Sequence, residues 1–201
     1  MKAIAQTNTK RRMKRELTIT EPSVESDLER LVEFFRLLPQ ETRNYLRYDV
    51  TDIDSCRTRL EQLDGKDHWR LIAEIDGKIV GDATMDREPF GWTHHVAEVR
   101  AIVFPNYLHL GIGPALFSKL AEIGAKSEIE TLFTEVMVEQ TDLIVALEQC
   151  GFVKEAVRKN YAKDLNSKTH DVIIMSNNLE EVWRHLADLV DETDMKIIRE
   201  E

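Results

Sequence analysis

The stretch from Val99 to Leu120, VRAIVFPNYLHLGIGPALFSKL, changes character twice. Val99–Phe104 reads as the end of a β-strand, which Pro105 closes. After Gly111-Ile112-Gly113, the residues Ile112, Leu116, Leu120 and Ile123 recur at helical spacing. The first N–H groups of a helix have no partner within it and lie along a favourable dipole, so a turn of this kind suits an anion. Glycines at 111 and 113 permit close approach to the backbone, and Pro114 fits the first helical turn, where its missing N–H costs little. Leu108, His109 and Leu110 come just before it, where an anion site would favour polar or basic side chains.

Nucleotide-binding loops of other kinds are narrowed by the same residues. A P-loop ends in Gly-Lys-Ser/Thr, which Gly113-Pro114-Ala115 excludes. A dinucleotide fold carries GxGxxG, but the third glycine position is Leu116. A coenzyme A cradle and a bare structural turn remain.

Outward from this stretch the elements follow in order. LTIT, Leu17–Thr20, reads as a first strand. Ser26-x-x-Glu29 has the form of a capping box, before Leu28, Leu31, Val32, Phe35 and Leu38 at helical spacing. Two further helical pieces are predicted near Glu41–Arg47 and Asp54–Leu63, the latter with Ile53, Cys56, Leu60 and Leu63 on one stripe. WRLIAEI and KIVGDATM flank Asp76-Gly77, a dipeptide suited to a type I′ hairpin turn. DREPFGWTHH reads as a loop before the strand Val96–Phe104. TLFTEVMV is a strand. Thr141 or Asp142 would cap a helix running to Gln149, with Gly151 at its C′ position. Two strands joined around Asn166-Ser167 follow. Asn178-x-x-Glu181 would start a terminal helix bearing Val182, Trp183, Leu186, Leu189 and Val190. Strands alternating with helices after the hairpin predict an α/β (α+β) fold, a mixed central sheet flanked by helices.

The chain has 201 residues, 42% of them hydrophobic and 32% charged, enough apolar material for one ordinary domain. Residues 1–15 carry six basic and no acidic residues and read as a flexible leader. Residues 16–178 form the expected domain, and 179–201 an amphipathic helical extension whose Trp183 stripe would serve core packing or a homodimer contact. A net charge of −10 argues against nucleic acid as a partner. No apolar run approaches ~18 residues, so no membrane span is expected. Cys56 and Cys150 are too few for a disulfide framework, and no Cys/His cluster suggests a metal. With no secretory signal pattern, a cytoplasmic protein with reduced thiols is expected.

The element order, the Asp-Gly hairpin, Pro105 six residues before Gly111, and ALEQCGF closing a later helix together resemble the GNAT acyltransferase superfamily over about residues 17–178. AEVRAIVF and FFRLLPQETRNYLRY are most similar to the acetyltransferase domain of Pat-type bacterial protein lysine acetyltransferases. The resemblance implies an N-acetyltransferase that uses acetyl-CoA, without a metal, to acetylate a primary amine: a protein lysine, an N-terminus or a small amine. The implied coenzyme-binding residues are Ile102, Val103 and Phe104 at the strand end, and His109, Leu110, Gly111, Ile112, Gly113, Pro114 and Ala115 in the turn and helix start. Val103 would offer its backbone to the pantetheine arm and the thioester carbonyl. Consensus members carry Gln or Arg at position 108, Gly at 109 and a basic residue at 110, where this chain has Leu108, His109 and Leu110. Weaker coenzyme binding than in a consensus member is therefore expected.

Acetylating an amine near neutral pH calls for a base, because a lysine holds its proton to about pH 10.4. Glu98 is the first candidate. On a strand it shares a face with Arg100 and Ile102, and it stands where Pat-type enzymes carry their glutamate. An ion pair with Arg100 is the structural alternative. His94 and His95 are alternative bases, and Glu135 a candidate for holding the amine. The tyrosine that many members place four residues before Gly-Phe is here Leu147, leaving Tyr107, Tyr161 or water to protonate the departing thiolate. Cys150 has no base at hand in the sequence and reads as a structural thiol. With no covalent nucleophile, direct attack in a ternary complex is expected. The alternative is a catalytically silent acyl-CoA-binding module, suggested by Leu108, Leu110 and Leu147.

Overall fold

The computed structural model describes residues 16–179. Seven strands form one sheet: β1 (Leu17–Thr20), β2 (His68–Ile75), β3 (Lys78–Arg87), β4 (Val96–Val103), β5 (Thr131–Met137), β6 (Val153–Lys163) and β7 (Thr169–Asn178), in the spatial order β1-β2-β3-β4-β5-β7-β6. The first four strands form an antiparallel meander. Its tight turn is the expected hairpin, with Asp76 at φ 53° and Gly77 at φ 73°, the paired left-handed residues of a type I′ turn. β4 and β5 are parallel, and the helix α4 (Ile112–Lys126) makes the crossover between them.

The helices α1 (Val24–Leu37) and α3 (Ile53–Glu61) cover one face, where Leu31, Val32, Phe35, Cys56 and Leu60 bury against Ile72. α4 and α5 (Thr141–Gln149) cover the other. Alternation along β4 serves both faces. Ala97 and Val99 are buried in the α4 core, while Ile102 packs toward the α1 cluster. Gly81 on β3 lets α4 close on the sheet, since a Cβ there would lie 3.1 Å from Leu116 Cδ1.

Three local expectations shift. The N-cap of α1 is Ser23, not Ser26. The Ser26 amide donates to Ser23 Oγ at 3.2 Å, and Asp27 returns the bond by accepting from the Ser23 amide at 3.0 Å, so the box begins one turn earlier. The second helix, α2 (Gln40–Arg43), stops before Arg47. Leu46 and Val50 turn into the α1 cluster instead, and the segment stays irregular until Asp52 caps α3. The cap residue of α5 is Gln140, with no side-chain cap bond; Gly151 does take the left-handed position after the helix, φ 86°. The basic leader and the terminal helix with Trp183 lie outside the described residues.

Candidate active site

β4 and β5 pair at only three positions, Val96↔Thr131, Ala97↔Leu132 and Glu98↔Phe133. Beyond Glu98 the strands part, and a cleft of about 490 Å³ opens between the end of β4, the glycine turn and α5. Ile102, Val103, His109, Gly111, Ile112, Gly113 and Pro114 line it, with Tyr107, Gln140 and Thr141. The Phe104 amide donates to Val80 O on β3 at 2.8 Å. Amide directions alternate along a strand, so the N–H of Val103 turns the other way, toward the unpaired side.

The turn itself is a main-chain construction. His109 has φ 63° and Gly111 φ 78°, a bend made by two left-handed residues two apart. Among the described residues, the amides of 109–113 donate no backbone hydrogen bond, whereas the Ala115 amide is already committed to Gly111 O at 3.0 Å. A Cβ on Gly113 would project toward Val103 Cγ2, 4.0 Å away on the cleft wall, so the glycine keeps open space in the cleft rather than space within the core. Free amides at the start of a helix, beside room for a chain, fit a diphosphate-bearing coenzyme.

A second, smaller cavity of about 150 Å³ lies on the α1 side of the parted strands. It shares Thr42, Tyr45, Ala101, Ile102, Phe117, Gln140 and Leu143 with the coenzyme cleft. Arg70 and Asp82 form a buried bidentate pair on its wall, at 2.6 and 3.1 Å. Outside it, Leu46, Arg47, Tyr48 and Val50 separate it from an outer cavity of about 410 Å³ that reaches Leu165 of the β6–β7 turn.

The parted strands carry a charge network here. Arg47 Nη1 lies 2.8 Å from Glu98 Oε1, and Arg47 Nη2 donates to Glu135 Oε2 at 2.7 Å. Arg100 pairs with Glu98 and, at 2.9 Å, with Asp86. Arg158 of β6 donates to Glu135 Oε1 at 2.6 Å. Burial disfavours the charge on Arg100, yet Glu98 and Asp86 more than offset it and hold its pKa above the ordinary guanidinium value. Glu98 is thus both the strand carboxylate at the fork and a member of an ion-pair cluster. Its Oε1 is buried and, among the described residues, has no N–H aligned on it, in spite of the nearby Arg47.

The other sequence candidates are placed as follows. Phe104 turns its ring toward Phe34 and Tyr107, and Leu110 stands 62% exposed to solvent. Glu98, Phe104, Leu110 and Ala115 are not on the cleft lining. Leu147 is fully buried in the core. Tyr107 is on the cleft wall, whereas Tyr161 is exposed beneath Arg158. His94 bonds Gly91 O at 2.9 Å in the loop before β4, away from the cleft lining. Cys150 is a free thiol whose pKa burial pushes up, which opposes thiolate formation. Among the described residues no cluster of metal-ligating groups forms. Arg47, Tyr45 and Tyr48 were not singled out by sequence reasoning. The one available signal was the run of basic and aromatic residues in TRNYLRY after the first helix.

A strand pair that opens over a helix-start amide cluster defines an acyl-coenzyme A transferase fold. The model of the acetyltransferase (GNAT) family matches residues 28–152, and the chain belongs to that family, whose chemistry is acyl transfer from an acyl-coenzyme A to an amine. Solved structures agree on the fold. An acetyltransferase of the GNAT family from Streptococcus pneumoniae is 20% identical, with TM-score 0.70 over 81% of this chain and 99% of that one. A ribosomal-protein-alanine N-acetyltransferase from Brucella melitensis is 23% identical, with TM-score 0.69 over 80% and 99%. The GNAT domain of S. lividans PAT is 20% identical, with TM-score 0.66 over 80% and 89%. Among the described residues no helix is long and apolar enough to cross a membrane.

Proposed function

We propose that the protein is an N-acetyltransferase that acetylates a primary amine by direct attack in a ternary complex. The observation that carries this reading is the opening of the sheet after Glu98, with the free amides of 109–113 on the cleft side and, on the inner-cavity side, Glu135 on the wall and Glu98 joined to it through Arg47. When bound, acetyl-CoA supplies a thioester whose acyl carbon the amine nitrogen attacks, with the C–S bond breaking and the thiol leaving. The turn holds the pyrophosphate through main-chain N–H groups. Val103 N–H steadies the acyl oxygen from the open strand edge. Glu98, one residue pair inside the fork, takes the proton that the amine must lose. Tyr107 is the hydroxyl on the cleft wall nearest in role to the acid that Leu147 cannot be, and solvent is the simpler proton source for a thiolate of modest basicity.

The acceptors that fit are a protein lysine, which the Pat resemblance implies, a protein N-terminus or a small amine; one structural neighbour is named a ribosomal-protein-alanine N-acetyltransferase. Thiol release from acetyl-CoA, followed with a panel of such amines, tests the reading. Protection by coenzyme A against thermal unfolding without thiol release for any amine would instead identify a silent acyl-CoA-binding module.

A further inference from the structure

The arginine at the fork sits where an acceptor's charge belongs. Glu98 on β4 and Glu135 on β5 face each other across the parting strands, with side chains 15% and 13% exposed, and one guanidinium bridges them. That guanidinium does not come from the sheet. It reaches in from the irregular segment between α2 and α3. Among the described residues, backbone groups of 44–52 are hydrogen-bonded within four positions of themselves, apart from the Arg36 side chain on Thr51 O. Arg47 also forms part of the wall between the outer and inner cavities, and the inner one opens on the coenzyme cleft.

We propose that Arg47 is a removable bolt: its guanidinium occupies the seat of the acceptor's ammonium group between Glu98 and Glu135, and must swing out for an alkylammonium acceptor to enter from the outer cavity. The inference rests on the acetyl-transfer reading above and adds to it the charge class of the acceptor, its entrance and the residue that controls it.

Three observations support the assignment. First, neither carboxylate depends on Arg47 alone. Arg47, Arg100 and Arg158 face Glu98, Glu135 and Asp86, and His68 also reaches Asp86 at 3.0 Å. When Arg47 leaves, Glu98 keeps Arg100 and Glu135 keeps Arg158, so neither carboxylate is stranded, and the place between them has lost one positive charge, which is what an ammonium carries. Second, the fit of Arg47 to Glu98 is imperfect. Glu98 Oε1 is 2.8 Å from Nη1 but has no aligned N–H. A planar guanidinium stretched between two strands leaves that lone pair unused, and a tetrahedral ammonium at the same place can aim a proton at each carboxylate. Third, of the arginines in the cluster, Arg47 alone stands on a non-regular segment; Arg100 and Arg158 are built into β4 and β6. An ammonium seated against Glu98 also has its transferable proton on the base.

A bolt that is withdrawn only a tenth of the time or less weakens apparent acceptor affinity by about tenfold or more. Calorimetric titration with n-butylammonium chloride reads this directly. Arg47→Ala is expected to bind it at least about tenfold more tightly than the unaltered protein. Arg47→Lys, which keeps a cation on the same segment, is expected to bind weakly like the unaltered chain, and Glu98→Gln with Glu135→Gln to lose binding. Equal affinity of the Arg47→Ala and unaltered proteins overturns the bolt. So does Arg47→Ala thiol release in which kcat falls a hundredfold while KM for butylamine is unchanged, since that is the signature of a residue positioning Glu98. Absence of thiol release from the unaltered protein with any amine counts against acetyl transfer itself and is read separately from the titration. Retained coenzyme protection in Arg47→Ala and Arg47→Lys shows that each variant is folded.

Discussion

On the proposed coenzyme side of the cleft, main-chain amides of residues 109–113, held by one bend and one helix start, stand beside polar side chains such as Gln140 and Thr141. On the proposed acceptor side the polar groups are the side chains of Arg47, Glu98, Arg100, Glu135 and Arg158, brought from a loop and three strands. A main-chain anion site leans little on neighbouring side chains, so Leu108 and Leu110 are compatible with the proposed role of the turn. The second half, on the proposed function, depends on its particular side chains. Coenzyme affinity is therefore expected to tolerate substitution around the turn, and turnover is not expected to tolerate it in the charge cluster.

The most direct way to break this contrast is Glu98→Gln. It is expected to lower kcat by about 10²–10⁴-fold while coenzyme A still protects the protein against thermal unfolding. Unchanged turnover would remove Glu98 from the chemistry and leave it as an ion-pair partner of Arg100. Next is the buried Arg70–Asp82 pair on the inner cavity wall, with side chains 4% and 8% exposed. Asp82→Ala strands a guanidinium in the interior and should cost about 3–5 kcal/mol in chemical denaturation, whereas Arg70→Met with Asp82→Leu should cost far less. A double variant no more stable than the single one would contradict that account.

The coenzyme half gives smaller effects. His109 adopts φ 63°, where a side chain is strained, so His109→Gly should raise stability by about 1 kcal/mol or less and leave coenzyme affinity within about twofold. A calorimetric loss of ten-fold would mean that the imidazole, not the backbone, holds the phosphate. The mildest effect concerns pH. His170 is buried between Glu139, at 2.8 Å, and Asp164, at 3.2 Å, tying the β6–β7 turn to the segment that leads into α5 beside the coenzyme cleft. Glu139 foremost, then Asp164, raises the imidazole pKa above its ordinary 6.5. The His170 share of stability is therefore complete below pH 6.5 and fades as pH rises through the folded value. Hydrogen bonding from His170 lowers the pKa of Glu139 in turn, so the carboxylate share is present above its ordinary 4.5 and fades as pH falls through its lowered value. Melting temperature should decline slightly as pH rises above 6.5, and His170→Gln should flatten that slope. An identical slope in the variant would show that the cluster does not titrate in this range.

The same contrast explains what could be read before the structure. The glycine turn, the Asp76-Gly77 hairpin and the alternation of β4 are local patterns, written within a few residues, and each stands in the fold as its sequence suggests. Glu98 and Arg100 were legible as neighbours because a strand places residues two apart on one face. Arg47 was not. It reaches Glu135 across 88 residues of chain, and nothing in the local pattern of TRNYLRY marks the end of α2 at Arg43 rather than at Arg47. The cap of α1 moved from Ser26 to Ser23 for a similar reason. Both serines are adequate caps, and the choice was made by Asp27, which satisfies the Ser23 amide. Where a side chain's partner is fixed by topology, periodicity has no access to it.

The outermost strand bears a consequence of its own. β6 is eleven residues long, exposed along nearly its whole length, and lies at the margin of the sheet with one side unpaired among the described residues. A straight apolar margin of that length would recruit strands from other molecules and seed aggregates. β6 instead breaks register against β7 twice, between Lys154 and Ala156 and between Arg158 and Ala162, and displays Lys154, Arg158, Lys159 and Lys163. Arg158 is thus part of the guard against sheet growth and also the neutralising partner of Glu135. Colloidal behaviour and the charge of the proposed acceptor site meet in one side chain, so a change there is expected to reach both together.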